Sequence, residues 1–433
     1  MDGCEGRVAV TGLGAGVSIT IRGAGVGVTI IDCQSSNQRA FLFDTKADGF
    51  FLEDFSIVNG GGPNTAYNKG GCMRLMDAST VTFTRIHVNG CMVDDGAVTK
   101  AGCVEVGQSS SLTIVDSTLE NCEATGPGGC VQVPSGSSLI LDGAILRSCT
   151  AGTVGGAIAV QNSNLFQVIG AGASISSSTA ELEGGGVYLD QTAAIDVVAG
   201  AVFDVYNNEA GTSGGGIAVM QVGGDAPSGS IRGATIRDNS AAVCGGGMWW
   251  GEGVDVVLTD SLVAGNVADF GGAVCFAGAG STGSLISNTV LSGNSATDGG
   301  GLYVTGSTSA TLHNLTITDN TADFGAGAYF GTGAVPTLSG SLITQNHALV
   351  RGALYTTNDV GSTIDTVGTV SCTNYGGDAE NADTSCSGVS RFVNPPPGDC
   401  ASNTFCKRST DPCTLAGPPA TCTSACPTAL WIP

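Results

Sequence analysis

Six cysteines share one fixed spacing: Cys72 and Cys91, Cys103 and Cys122, and Cys130 and Cys149 are each 19 residues apart. The chemistry that such a constant gap would serve is disulfide formation. Two pairings satisfy it. If a closed coil returns beside its own first corner, each pair bridges within its own segment. Alternatively, the links run between neighbouring segments, because equivalent positions on adjacent parallel strands lie about 4.8 Å apart, inside the Cα window for a disulfide. Links between segments leave an odd thiol in each column of three, which favours the first pairing. Metal binding fits poorly, since no Cys-x-x-Cys occurs and His87, His313 and His347 are not at ligand spacing to the cysteines.

Aromatic residues form the second set. Tyr188, Trp249, Tyr303, Tyr329 and Tyr355 recur at one place in a repeating phrase. They could stack on one another, on sugar rings or on a neighbouring molecule. Catalytic sets are thin by comparison. Glycoside hydrolysis needs two or three carboxylates facing one cleft, and Asp94-Asp95 reads as a solvated loop tip. Arg232, Arg237 and Arg351 do not accompany an acidic cluster at equivalent places, as a lyase would require, and no Gly-x-Ser-x-Gly elbow faces a histidine. Loop carboxylates such as Asp269, Asp298 and Asp323 could gather a cation, although no calcium-loop spacing connects them. No cofactor motif appears. Asn314-Leu315-Thr316 is a glycosylation triplet beside an expected strand.

These residues are carried by a phrase of two glycines, a small residue and an apolar-x-apolar run. Its small residue falls at Cys72, Cys103, Cys130, Ala157, Gly186, Gly216, Gly247, Ala273, Gly301, Gly327 and Ala353, at intervals of 26 to 31 residues. A period of that size means a solenoid or an array. The glycines permit a sharp corner with positive φ, and the alternating run starts a strand with one buried face. Expected interior pairs include Met73 and Leu75, Val104 and Val106, Ile158 and Val160, and Leu302 and Val304. A second phrase, apolar-x-x-Asn, precedes the next corner and ends at Asn239, Asn266, Asn294, Asn320 and Asn346. Asn suits a repeated bend because its side chain bonds nearby backbone. Stacked turns would align these amides in a structural ladder.

Composition agrees with that reading. The 433 residues include 69 Gly but only 6% aromatics, which suits thin strands and tight corners. A net charge of −22 disfavours nucleic acid and anionic membrane surfaces as partners. No apolar run is long enough for a transmembrane helix, so direct membrane insertion is not expected. Seventeen Cys point to an oxidising compartment. The first residues do not resemble a signal peptide, so the numbering is expected to begin inside a longer precursor.

Residues 1–71 read as degenerate opening coils and 72–371 as regular ones, whereas 372–433 form a Cys- and Pro-rich tail that disulfides would staple as a cap or linker. Together the two phrases resemble the paired repeat motifs of the chlamydial polymorphic outer membrane proteins. Gly271-Gly272-Ala273-Val274 with Val263-x-x-Asn266 is among the nearest matches, and the resemblance spans about residues 60–360. This chain carries Ile, Leu or Val where the family usually has Phe in the second motif. The resemblance implies a right-handed parallel β-helix, surface location, and adhesion or coat building, with no catalytic residues to transfer.

The expected fold is therefore all-β: a parallel β-helix of roughly 12–13 coils with an irregular Cys-rich tail. The expected function is a non-catalytic extracellular or cell-surface structural or adhesive protein that self-associates, as in a filament or coat, or binds other surface proteins. The alternative is a β-helix that binds or degrades glycans with its outward Tyr/Trp strip.

Overall fold

The computed structural model describes residues 8–11, 17–33, 39–44, 49–63, 70–94, 101–107, 109–134, 136–162, 165–191, 193–223, 227–278, 283–306 and 308–356. It also describes the strand backbones of 363–367, 369–372, 375–376, 387–389 and 392–393. The described residues contain no helix, and their parallel strands stack as a solenoid of about 10 turns. No described helix is long and apolar enough to cross a membrane. The chain falls into two compact units, residues 1–212 with 216–233, and residues 213–215 with 234–433.

In the first unit each turn has a corner strand, a long face and a short face. Corner strands stack in register, with Val104 beside Val131, Val131 beside Ile158, Ile158 beside Val187 and Val187 beside Ile217. On the long face Ser138–Arg147 runs beside Ser111–Val115 and Thr118–Glu120, and Leu165–Ser176 runs beside Ser138–Arg147. Two-residue strands make the short face, pairing Glu123 with Thr150, Thr150 with Thr179 and Thr179 with Glu209. Strand alternation sends every second residue inward, and Val104, Val106, Leu112, Ile114 and Leu119 are all 0% exposed. Towards the N-terminus the interior turns aromatic. Phe43 packs on Phe50 at 4.5 Å and on Phe41 at 5.9 Å between ring centroids.

The second unit repeats the plan. Its corner strands Met248–Trp250, Val274–Ala277, Leu302–Thr305, Ala328–Phe330 and Leu354–Thr356 pair successively in parallel. The parallel order changes after strand Thr369–Cys372, onto which Ser387–Val389 pairs antiparallel. Phe392–Val393 does the same to Thr363–Val367.

The two corner glycines have different tasks. Only the first takes positive φ, for example 67° at Gly155 and 69° at Gly299. The second is excluded from carrying a side chain by the neighbouring turn, since a Cβ on Gly272 would lie 2.6 Å from the carbonyl oxygen of Gly300. A Cβ in the left-handed region costs roughly 1–2 kcal/mol. Gly299→Ala is therefore expected to lower the unfolding free energy by at least that amount in urea titration, because its Cβ would also meet the Leu302 carbonyl carbon at 2.8 Å.

Candidate functional site

Each turn must close where its last strand returns beside its first corner, and the chain uses two chemistries there. In the first unit Cys72–Cys91, Cys103–Cys122 and Cys130–Cys149 are disulfide-bonded within their own turns, with Cα separations of 5.7, 5.6 and 5.5 Å. The next two turns place Ala157 and Gly186 in the first column, and Ser178 and Asn208 in the second. In the second unit the closing column is Asn239, Asn266, Asn294, Asn320 and Asn346, every one at most 1% exposed.

These amides form a buried ladder. Nδ2 of Asn266 donates to Oδ1 of Asn294 at 3.0 Å, Asn294 to Asn320 at 2.9 Å, and Asn320 to Asn346 at 2.9 Å. The same acceptors also receive backbone N–H groups, as when Asn266 N donates to Asn294 Oδ1 at 2.9 Å. The Nδ2 groups reach backbone carbonyls as well, from Asn294 to Val263 O at 3.0 Å and Ser292 O at 3.1 Å, and from Asn346 to Ile317 O at 2.9 Å and Thr344 O at 3.0 Å. The preceding residue bends the chain into the left-handed region, at φ 55° for Asp238 and 56° for Asp319. That bend aims the Asn side chain inward. Only a small residue fits opposite: a Cβ on Gly247 would lie 3.0 Å from Asn266 Nδ2, and one on Gly327 would lie 3.3 Å from Asn346 Nδ2.

The aromatic residues divide. Tyr303, Tyr329 and Tyr355 are half-buried neighbours on successive corner strands. Tyr303 and Tyr329 stack with centroids 4.9 Å apart and planes at 20°, and Tyr329 meets Tyr355 at 5.1 Å. Phe270 and Phe324, from the segment before the corner, add to the row against Tyr303 at 5.2 Å and Tyr355 at 5.7 Å. Burial pushes the Tyr303 phenol up, with the nearby Asp298 charge adding to it. Trp249 is half-buried, but its partner in the next turn is Cys275 rather than an aromatic. Tyr188 departs from the expected outward strip, being only 4% exposed. The corner folds back over the strand in its turn, so that a Cβ on Gly184 would lie 2.9 Å from the Tyr188 Cβ. Burial, reinforced by Asp190 and Glu183, raises its phenol well above the usual range.

A further disulfide, Cys244–Cys275, runs between turns with a Cα separation of 5.7 Å. Cys275 stands where the next turn has Tyr303. The available signal was that Cys244 stands immediately before a corner whose first glycine lies over the outward position.

On the long face of the first unit, an open groove of about 520 Å³ is lined by Val26, Asp54, Arg85, Ile86, His87, Asp116, Thr118, Glu120 and Arg147. Arg85 grips Asp54 with two hydrogen bonds of 2.6 and 3.0 Å. His87 Nε2 lies 2.8 Å from one Glu120 oxygen, and Arg147 donates to the other at 2.6 Å. Basic residues thus stand beside carboxylates on neighbouring turns at Arg85 and Arg147, neither of which the sequence motifs single out, and Asp54 belongs to an adjacent acidic pair, Glu53-Asp54. The Arg85 hydrogen bond holds the Asp54 carboxyl low. For Glu120 burial pulls upward, but hydrogen bonds from His87 and Arg147 outweigh it and leave the carboxyl below its usual range. A general acid needs its pKa raised towards the working pH, and these two carboxylates are moved the other way.

The remaining candidates are scattered. Asn314 is half-buried at a bend with φ 52°. Its Nδ2, the atom a glycan would occupy, donates to Asn288 Oδ1 at 2.8 Å, and Asn288 donates to Asp260 at 3.2 Å. Burial, with Asp323 adding, raises the Asp298 carboxyl. Among the described residues no group of three or more His, Cys, Asp or Glu is placed to hold a metal. The side chains of Asp94, Asp95 and Arg351 and most of the Cys-rich tail lie outside the described residues. Comparison with protein-family models, curated proteins and solved structures finds no match.

Proposed function

We propose that this chain is a non-catalytic structural or adhesive protein of an extracellular or cell-surface setting. The observation that carries the reading is where its polar and aromatic side chains are spent: they link one turn to the next. The Cys244–Cys275 disulfide, the Asn ladder, the Tyr row and the Arg85–Asp54 and Arg147–Glu120 pairs all do so, while the other three disulfides close single turns. Four disulfides among the described residues are compatible with an oxidising, extracellular environment. The resemblance to the chlamydial surface repeats points in the same direction. Side-by-side association into a coat is favoured over end-to-end stacking, because antiparallel strands cover the last parallel strands of the long face and blunt that edge.

The glycan reading of the aromatic strip has less support. A sugar ring docks on an open aromatic face, whereas Tyr303 and Tyr329 turn their faces to one another and Tyr355 packs on Tyr329 with its plane tilted by 45°. The test is a panel of neutral and acidic polysaccharides assayed for binding and for release of reducing or unsaturated ends. The expected result is no turnover. Turnover abolished by Glu120→Gln or by Asp116→Asn would overturn the non-catalytic reading.

A further inference from the structure

Three phenols on adjacent turns, held ring against ring, are set for a reaction with each other. We infer that Tyr303, Tyr329 and Tyr355 form an oxidative cross-linking site, which a peroxidase and hydrogen peroxide convert to dityrosine within one chain. Three observations carry this. Tyr303 and Tyr329 are stacked at 4.9 Å and Tyr329 and Tyr355 meet at 5.1 Å, so the encounter that two tyrosyl radicals require is already made. All three rings are half-buried, neither sealed from an oxidant nor free to sweep through solvent. Parallel pairing places each tyrosine directly beside the next, which fixes the partner of each radical.

The chemistry balances. Each phenol loses one electron and one proton, giving a radical whose spin reaches the carbons ortho to the oxygen. Two such carbons join, and the coupled rings regain aromaticity by moving their ortho hydrogens to the oxygens. Overall two tyrosines and one hydrogen peroxide yield one dityrosine and two waters. The other described tyrosines differ in ways that serve as controls. Tyr188 is buried, and Tyr206 is half-buried beside Ser176 of the preceding turn. The inference rests on ring geometry alone and stands whether or not the chain is a surface protein. An extracellular setting would add a source of peroxide.

The test treats the full chain with a haem peroxidase and hydrogen peroxide, then reads dityrosine fluorescence and the cross-linked peptides by mass spectrometry. The expected product is monomeric, lighter by two hydrogen atoms, and joins Tyr303 to Tyr329 or Tyr329 to Tyr355. Tyr329→Phe keeps a ring in the stack and removes the shared partner, so it should abolish both products and nearly all the fluorescence. Tyr206→Phe should leave the yield unchanged. Circular dichroism of both variants before oxidation verifies that they are folded. Coupling chiefly between chains, coupling through Tyr206, or an undiminished yield in Tyr329→Phe would each overturn the inference.

Discussion

Asn294→Ala is expected to lower the unfolding free energy by about 3–5 kcal/mol, several orphaned buried groups at roughly 1–3 kcal/mol each before relaxation. Asn294 accepts two bonds, from the backbone N and the Nδ2 of Asn266, and donates to Val263 O and to Asn320 Oδ1. Truncation removes all of these at a site 1% exposed, where water does not replace them. Asn294→Asp separates the two halves of the role, because the carboxylate keeps the acceptors and loses the donor. Burial raises a carboxyl pKa, so this variant should be least stable at neutral pH. The deficit should shrink as the pH falls through the raised folded value and be smallest below the unfolded one. Urea titrations at neutral and acid pH check both variants.

The second expected result concerns the covalent form of the same corner. Cys130→Ala with Cys149→Ser rebuilds the Ala157 and Ser178 corner of the next turn, so the packing it creates already exists one turn away. Its cost is then mainly the lost constraint on the unfolded chain, about 3 kcal/mol for a loop of this size. The reverse exchange should work as well. Ala157 already carries a Cβ at 0% exposure and Ser178 is equally buried. Ala157→Cys with Ser178→Cys should therefore oxidise to a new bridge and add about 2–3 kcal/mol. Thiol titration after denaturation counts the bridges, and melting curves with and without reductant measure their effect.

Much of this corner was legible because it repeats. A constant interval from Cys72 to Cys91, kept at Cys103 and Cys130, reflects a chain returning to one place, and the interior pairs follow from alternation alone. Asn208 was equally readable: Val205-x-x-Asn208-x-Ala210 fits the second phrase and closes its turn by bonding Ser178 N and Ile175 O. The ion pairs were not readable. Asp54 and Arg85 are 31 residues apart, whereas Glu120 and Arg147 are 27 apart. Turns of unequal length hide which long-face residues are neighbours. Tyr188 and Tyr303 occupy the same place in the phrase yet differ in burial.

The most direct test of the central claim, that each turn is a parallel coil closed on itself at one corner, is a peptide map of the intact, non-reduced chain. The account predicts linked peptides containing Cys72 with Cys91, Cys103 with Cys122, Cys130 with Cys149, and Cys244 with Cys275. Links between Cys72 and Cys103, or between Cys91 and Cys122, would place the bonds along the stack instead of across the corner and contradict it.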